Sequence, residues 1–206
     1  LSIDFDLNKM FYKNVLDLLK KAEFSFNETN LSYNYKKNYP KNLRDNYIVV
    51  HIMASNEKRS LPIYRWRNII SRLVENGTPV YLTGSKIDSE SISVLSSEIK
   101  GVYNLAGLLS FSQLASLIEG SRAFVGVDTG ITHLAGVLGV SGVIIGNNSN
   151  PTWLPYYNKK LKVMTNNERC TCNKDKKGNC LVEVSGKKYL KCMYDLKDDD
   201  IVSEIK

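Results

Sequence analysis

The segment Asp128-Thr129-Gly130-Ile131-Thr132-His133 puts a carboxylate, two hydroxyls, a glycine and an imidazole into one short run. Before it, Ala123–Val127 (AFVGV) reads as a buried strand; after it, Thr132–Leu138 reads as a helix. A strand that turns sharply into a helix aims unpaired backbone N–H groups outward, which makes an anion seat. Gly130 lets the backbone approach a ligand, Thr129 offers a hydroxyl, and His133 adds a donor that strengthens on protonation. These residues describe a diphosphate seat. The plainer reading is that Asp128 and Thr129 cap the helix and His133 is an ordinary polar residue.

Two further segments could serve the same ligand. His51–Pro62 (HIMASNEKRSLP) leaves a buried strand with the small or polar residues Ala54, Ser55 and Asn56, then the cations Lys58 and Arg59. Small residues admit a phosphate, and the cations would neutralise charge developing on a leaving group. Leu82–Glu90 (LTGSKIDSE) ends a strand at Gly84, and Asp88 or Glu90 could accept hydrogen bonds from ribose hydroxyls. Read blandly, Lys58 and Arg59 are solvated loop cations, and the acids belong to the first turn of a helix. The chain contains no GxGxxG, no Walker loop and no GxSxG, so the commonest dehydrogenase, phosphate-loop and hydrolase readings find no support.

All four cysteines fall within Cys170–Cys192, at Cys170, Cys172, Cys180 and Cys192, a C-x-C-x7-C-x11-C spacing. A thiolate site for structural zinc or iron is one reading; free thiols and disulfides are the others, because C-x-C is not the usual C-x2-C knuckle.

The elements that must position these groups alternate. Strands are expected at Tyr47–Met53 (YIVVHIM), Pro79–Thr83, Val102–Leu105, Ala123–Val127 and Gly142–Ile145. Helices are expected at Ile63–Glu75 (closed by Asn76-Gly77), Ser89–Lys100, Ser112–Ile118 with Ser110 or Ser112 as cap, and Thr132–Leu138. That alternation predicts an α/β fold: a Rossmann-like parallel sheet with helices on both faces, binding ligands beyond the carboxyl ends of the strands. Ahead of it, Asp6–Glu23 has helical apolar spacing, and Asn27–Asp45 is a polar linker or irregular lead-in. The division expected is 1–45 for the preceding helix and linker, 46–165 for the Rossmann-like domain, and 166–206 for a cysteine-containing tail.

The 206 residues suffice for one α/β domain with appendages. Hydrophobic content of 43% and charged content of 24% are ordinary for a globular protein. No apolar run approaches the ~20 residues of a membrane span, and the start does not resemble a signal peptide. The chain begins without Met and reads as a piece of a longer polypeptide. Net charge of +7 fits either a solvated lysine-rich surface or a basic face for phosphate-bearing substrates or an anionic membrane. The basic residues are scattered and carry no nucleic-acid motif, so nucleic acid is not an expected partner.

The order of these pieces resembles glycosyltransferase family 9, the lipopolysaccharide heptosyltransferases. The resemblance rests on ASNEKR, on Leu105–Ile118 (LAGLLSFSQLASLI), on Asp128–Gly139 (DTGITHLAGVLG) and on Trp153-Leu154-Pro155, and runs from about Tyr47 onward, with Phe11–Ala22 resembling the preceding helix. It implies the C-terminal half of a GT-B fold, holding ADP-heptose or a similar nucleotide sugar for transfer to a lipopolysaccharide-type or other glycan or lipid-linked acceptor, with no cofactor needed for transfer. It further implies donor contacts at Ser55, Lys58, Arg59, Gly84, Asp88, Asp128, Thr129, Gly130 and His133, with Lys58 as an electrostatic stabiliser. The catalytic base would lie in an N-terminal domain outside this chain, which would then be inactive in transfer by itself. The cytoplasm, at the inner face of a bacterial inner membrane with peripheral membrane contact, is the implied setting. Ile52, Met53 and Ser60 depart from the family pattern, and the alternative they leave is a non-catalytic nucleotide-binding module in glycan assembly.

Overall fold

A computed structural model describes residues 36–147, 154–155, 158–166 and 180–205. Six parallel strands form its centre: β1 (Ile48–His51), β2 (Val80–Thr83), β3 (Val102–Asn104), β4 (Ala123–Val127), β5 (Gly142–Ile145) and β6 (Leu161–Met164). Their order is β3-β2-β1-β4-β5-β6, the doubly wound arrangement expected from the alternation. β1 is buried along its whole length between β2 and β4, which is why its residues read as a continuous apolar run. It stops at His51, two residues short of expectation. Ile52 stays buried, but the chain turns away to let Ser60 Oγ donate to the Ile52 carbonyl at 2.5 Å.

Side chains of successive strand residues point to opposite faces, and the two faces collect separate cores. Ile48, Val50, Leu82, Val125 and Val143 face one layer, with Trp66, Ile69, Ile70 and Leu73 of α1 (Ile63–Val74) and Ile92 and Leu95 of α2 (Ser89–Glu98). Val49, Tyr81, Phe124 and Ile144 face the other, with α3 (Phe111–Glu119) and α4 (Gly130–Val137). In α1 the inward residues recur at three- and four-residue steps, so one stripe meets the sheet. The start of α3 is fixed by Ser110: its hydroxyl accepts from the Gln113 N–H, and Gln113 Oε1 accepts from the Ser110 N–H.

The C-terminal part departs from a simple tail. β7 (Leu181–Val184) and β8 (Lys187–Leu190) form an antiparallel hairpin whose two turn residues, Ser185 and Gly186, have φ of 50° and 76°. That is the backbone a two-residue hairpin turn needs. α5 (Lys191–Tyr194) and α6 (Asp198–Ser203) follow, and Cys192, Met193, Ile201 and Val202 enter the α1/α2 core layer. The core therefore crosses the expected division at 165. Arg65 on α1 secures the return: Nε donates to Asp198 Oδ1 at 2.6 Å, Nη1 to the Tyr194 carbonyl at 2.5 Å, and Nη2 to the Leu196 carbonyl.

Residues 36–46 are irregular, as expected, but are strapped to the sheet. Asn38 N–H donates to Ser116 Oγ at 2.8 Å, Lys37 pairs with Glu119 at 3.0 Å, and the Arg44 N–H donates to Tyr81 Oη at 2.9 Å. The helix expected over Asp6–Glu23 lies outside the described residues. Among the described residues, no helix is long and apolar enough to cross a membrane.

Candidate functional site

β1 and β4 are neighbours in the sheet although their connections run to opposite sides of it, so a crevice opens beyond their carboxyl ends. A cavity of about 920 Å³ occupies that end of the sheet. It is walled by the loops after β1, β2, β3 and β4. Ser55, Arg59, Gly84, Asp88, Asp128, Thr129, Gly130 and His133 all line it, so eight of the nine expected binding residues converge on one space.

The β4–α4 junction supplies the floor. α4 begins at Gly130, two residues earlier than expected, which makes Thr129 the residue before the first turn. The Thr129 N–H donates to Thr132 Oγ1 at 3.1 Å, and that hydroxyl in turn donates to the Thr129 carbonyl at 2.5 Å. Thr132 thus consumes one of the turn's free donors and stiffens it. Thr129 Oγ1 is buried and has no hydrogen-bond partner among the described residues. Gly130 lines the cavity, and a Cβ placed on it would meet nothing within 4 Å beyond its chain neighbours and its own helix backbone. The opening N–H groups of α4 face that open space, where the helix dipole favours negative charge.

Asp128 cannot itself bind a phosphate, since two anions repel. It accepts instead from Asn147 Nδ2 at 3.4 Å and faces Arg59 Nη1 at 3.7 Å. Burial raises its pKa above the ordinary carboxylate value, while Arg59 and then His133 act to lower it. Arg59 sits on a 3₁₀ turn (Glu57–Arg59) with no buried residue, whose first turn is capped by Asn56 Oδ1 accepting from the Lys58 N–H at 3.1 Å. β8 packs against this turn, and Lys187 pairs with Glu57 at 3.6 Å. Lys58, the ninth expected binding residue, is exposed on the same turn and stands outside the cavity lining.

On the β2 and β3 side the wall is built by contact between loops. Asp88 Oδ2 accepts from both the Ser85 N–H (2.8 Å) and the Ser85 hydroxyl (2.6 Å), which draws the Ser85–Asp88 loop into a compact turn. Glu90, the other acid considered for ribose, is exposed on α2 and does not line the cavity. Gly107 has φ of +72°, and a Cβ there would lie 2.6 Å from Lys86 Cα, so the β3–α3 loop rests directly on the β2–α2 loop. Ile87, Leu105, Leu109 and Leu114 give this end of the cavity an apolar character.

His51 is a site residue that the motif reasoning passes over. It ends β1, pairs in register with Thr83 and Gly126, and is 9% exposed. Its Nδ1 lies 3.0 Å from Thr83 Oγ1. Burial lowers its pKa from 6.5 to about 4, although Asp88 and hydrogen bonding at Thr83 act in the other direction. The ring is therefore neutral at physiological pH. In sequence His51 looks like one more residue of an apolar strand; only its position at the strand's carboxyl end could have marked it. Asn147, just beyond β5, has only the same positional signal and is the residue that donates to Asp128.

Cys170 and Cys172 lie outside the described residues, as does Trp153 of the tripeptide quoted above. Cys180 is a free thiol and Cys192 is buried in the α1/α2 layer; the Lys191 N–H donates to the Cys180 carbonyl at 3.0 Å, which brings these two cysteines to the same end of the hairpin. No group of three metal-ligating side chains occurs among the described residues.

Comparison with known proteins agrees with this geometry. Lipopolysaccharide heptosyltransferase 1 of Pseudomonas aeruginosa is 35% identical over 97 residues, which are 46% of this chain and 26% of that protein. Two solved structures share the fold. One, ADP-heptose lipopolysaccharide heptosyltransferase II of Escherichia coli, has a TM-score of 0.63 at 22% identity, over 78% of this chain and 45% of that one. The other, a family 9 glycosyl transferase of Veillonella parvula, has a TM-score of 0.61 at 14% identity, over 99% of this chain and 51% of that one. The chain thus spans about a quarter of the curated relative and about half of each solved neighbour. The family model for glycosyltransferase family 9 (heptosyltransferase) matches residues 7–183, so the chain belongs to that family.

Proposed function

We propose that this chain is the donor-binding half of a heptosyltransferase-like glycosyltransferase, holding a nucleotide sugar such as ADP-heptose in the cavity beyond β1 and β4. The observation that carries the reading is the meeting of Arg59, Asp128, His133 and the open start of α4 around one space. A diphosphate laid on the first N–H groups of α4 would have Arg59 within reach. As the leaving nucleoside diphosphate gains charge, those groups interact with it more strongly, which is electrophilic assistance to transfer. Asp128 then serves as an acceptor for sugar hydroxyls and as the anchor that aims Arg59. Lys58 would join the phosphates by swinging its flexible side chain inward. The apolar wall at Ile87, Leu105 and Leu109 suits a nucleobase.

Transfer to a lipopolysaccharide-type or lipid-linked acceptor would use a preceding domain for the acceptor and the base, so this half would bind donor and not transfer. A cytoplasmic setting, with basic side chains touching an anionic membrane face, fits the +7 charge. Calorimetric titration with ADP, UDP and their sugars tests the reading: binding that His133→Ala and Arg59→Ala both weaken is expected. Absence of binding to any of these would reject it in favour of a non-catalytic module.

A metal held by Cys170, Cys172, Cys180 and Cys192 is a separate proposal. It is supported by the clustering of every cysteine in the chain and by the hairpin that returns Cys180 towards Cys192. Such a site would be structural, pinning the hairpin that packs on the Glu57–Arg59 turn, and would supply no step of transfer.

A further inference from the structure

A second cavity, of about 500 Å³, opens between the first turns of α1 and α2 and the β7–β8 hairpin. Sites for small molecules commonly measure ~300–1,000 Å³. Aliphatic side chains make up much of its wall: Leu61 and Ile63 at the start of α1, Val94 on α2 and Val184 on β7. Met53, Glu57, Ile87 and Asp88 also line the cavity beyond β1 and β4, so the two spaces adjoin, but Thr129, Gly130 and His133 line that one alone. Trp66 lines only the second. Trp66 is fully buried, and its Nε1–H has no hydrogen-bond partner among the described residues. An indole N–H can only donate, and a buried donor left without an acceptor is destabilising. The Ser60 hydroxyl, also on the lining, already donates to the Ile52 carbonyl. Of the two spaces, this is the one from which an acceptor would reach Trp66.

We propose that this cavity is a second binding site, for a neutral and largely aliphatic molecule with one carbonyl, a short acyl ester, whose oxygen accepts from Trp66 Nε1. The charges around the space select against an anion. Its lining holds two acids, Glu57 and Asp88, and one cation, Lys187, which is already paired with Glu57 at 3.6 Å. A carboxylate or phosphate entering here meets Asp88 with Lys187 engaged elsewhere, and loses its water for no compensating charge. The chemistry is therefore the reverse of the anion seat at α4, and the second site stands whether or not a nucleotide sugar occupies the first. Because Glu57, Ile87 and Asp88 belong to both walls, a molecule held here lies against the loops that shape the neighbouring cavity.

The probe is methyl hexanoate, with hexanoate as its anionic counterpart. The chain has two tryptophans, so nitrogen–proton spectra show two indole signals, which the Trp66→Phe or Trp153→Phe spectrum assigns. Titration with the ester should move the Trp66 indole proton downfield and saturate, as an N–H does on gaining an acceptor. Hexanoate should bind at least about tenfold more weakly than the ester. Calorimetry should find the ester about three- to tenfold weaker on Trp66→Phe, which keeps an aromatic ring and removes the donor. The double variant Val94→Phe with Val184→Phe fills the space from opposite walls, away from Trp66, and should abolish ester binding in a chain that still folds. A Trp66 signal unmoved by millimolar ester, hexanoate binding as tightly as the ester, or ester binding retained by the filled variant overturns the inference. So does ADP moving the same proton in the same way, which would make the cavity part of the nucleotide seat.

Discussion

Gly130→Ala separates the folding role of the α4 start from its binding role. The substitution adds one methyl group at the first residue of a helix, where no described atom lies within 4 Å of the new Cβ. Nothing in the fold has to move. Alanine is the better helix former, by up to about 1 kcal/mol in a helix interior and less at a first turn. Stability should be unchanged or slightly raised, which for a domain of this size is a rise in Tm of no more than about 4 °C. A diphosphate on the α4 N–H groups would feel the opposite effect. Gly130 lines the cavity, so a phosphate oxygen seated at hydrogen-bond distance from its backbone would meet the added methyl and have to withdraw. Losing one hydrogen bond to a charged group, at about 1.5–3 kcal/mol, weakens binding by roughly ten- to a hundredfold. Thermal unfolding and calorimetric titration with ADP on the same preparation read both quantities. A variant that melts normally and binds ADP within twofold of the parent would refute the placement of the ligand on α4.

Three further outcomes follow from other parts of the structure. His51 is held neutral with a pKa of about 4 against 6.5 when unfolded, so the stability present above pH 6.5 should fall as the pH drops towards 4, by on the order of 3 kcal/mol. Asp128, whose pKa is raised, acts in the opposite sense just above the ordinary carboxylate value, and denaturant titrations of His51→Gln should lack the His51 component. Gly107→Ala forces a Cβ to within 2.6 Å of Lys86 Cα at a positive φ, so it should cost about 1–3 kcal/mol or more and lower nucleotide affinity through the displaced Ser85–Asp88 loop; a neutral effect on Tm would contradict the contact between loops. Protein purified without chelators should contain about one equivalent of zinc or iron if the four cysteines form a site, whereas rapid reaction of four thiols with no bound metal rejects it.

What the sequence disclosed depended on how strongly each residue's neighbours repeated its message. β1, β2, β4 and β5 were legible because strands buried on both faces need uninterrupted apolar runs, and α1 was legible because one stripe of it meets the sheet. The convergence of Asp128–His133, Arg59 and Asp88 followed from topology: strand ends in a parallel sheet face one way. β6 was missed because LKVM has one buried residue and lies at a sheet edge, where no clean alternation is imposed. The β7–β8 hairpin had a signal, Ser185-Gly186 between two alternating runs, that the cysteine pattern obscured. Residue-level positions inside the site were the least legible. Lys58 and Arg59 are adjacent and alike in type, and only the turn of the 3₁₀ segment decides that Arg59 meets Asp128 while Lys58 faces water.

The return of α5 and α6 onto α1 bears on the order in which the molecule can become stable during synthesis. Among the described residues, the α3/α4 layer draws its buried and packed side chains from positions no later than Val163, so that part of it can close while the rest of the chain is still being made. The α1/α2 layer cannot, because Cys192, Met193, Ile201, Val202 and Ile205 belong to it. Until they arrive, Trp66, Ile69 and Ile70 lack their cover, and a ribosome that stalls in the tail would present a half-closed sheet with an adhesive apolar side. Arg65, reaching for the Tyr194 and Leu196 carbonyls and for Asp198, then acts as the clasp that marks completion.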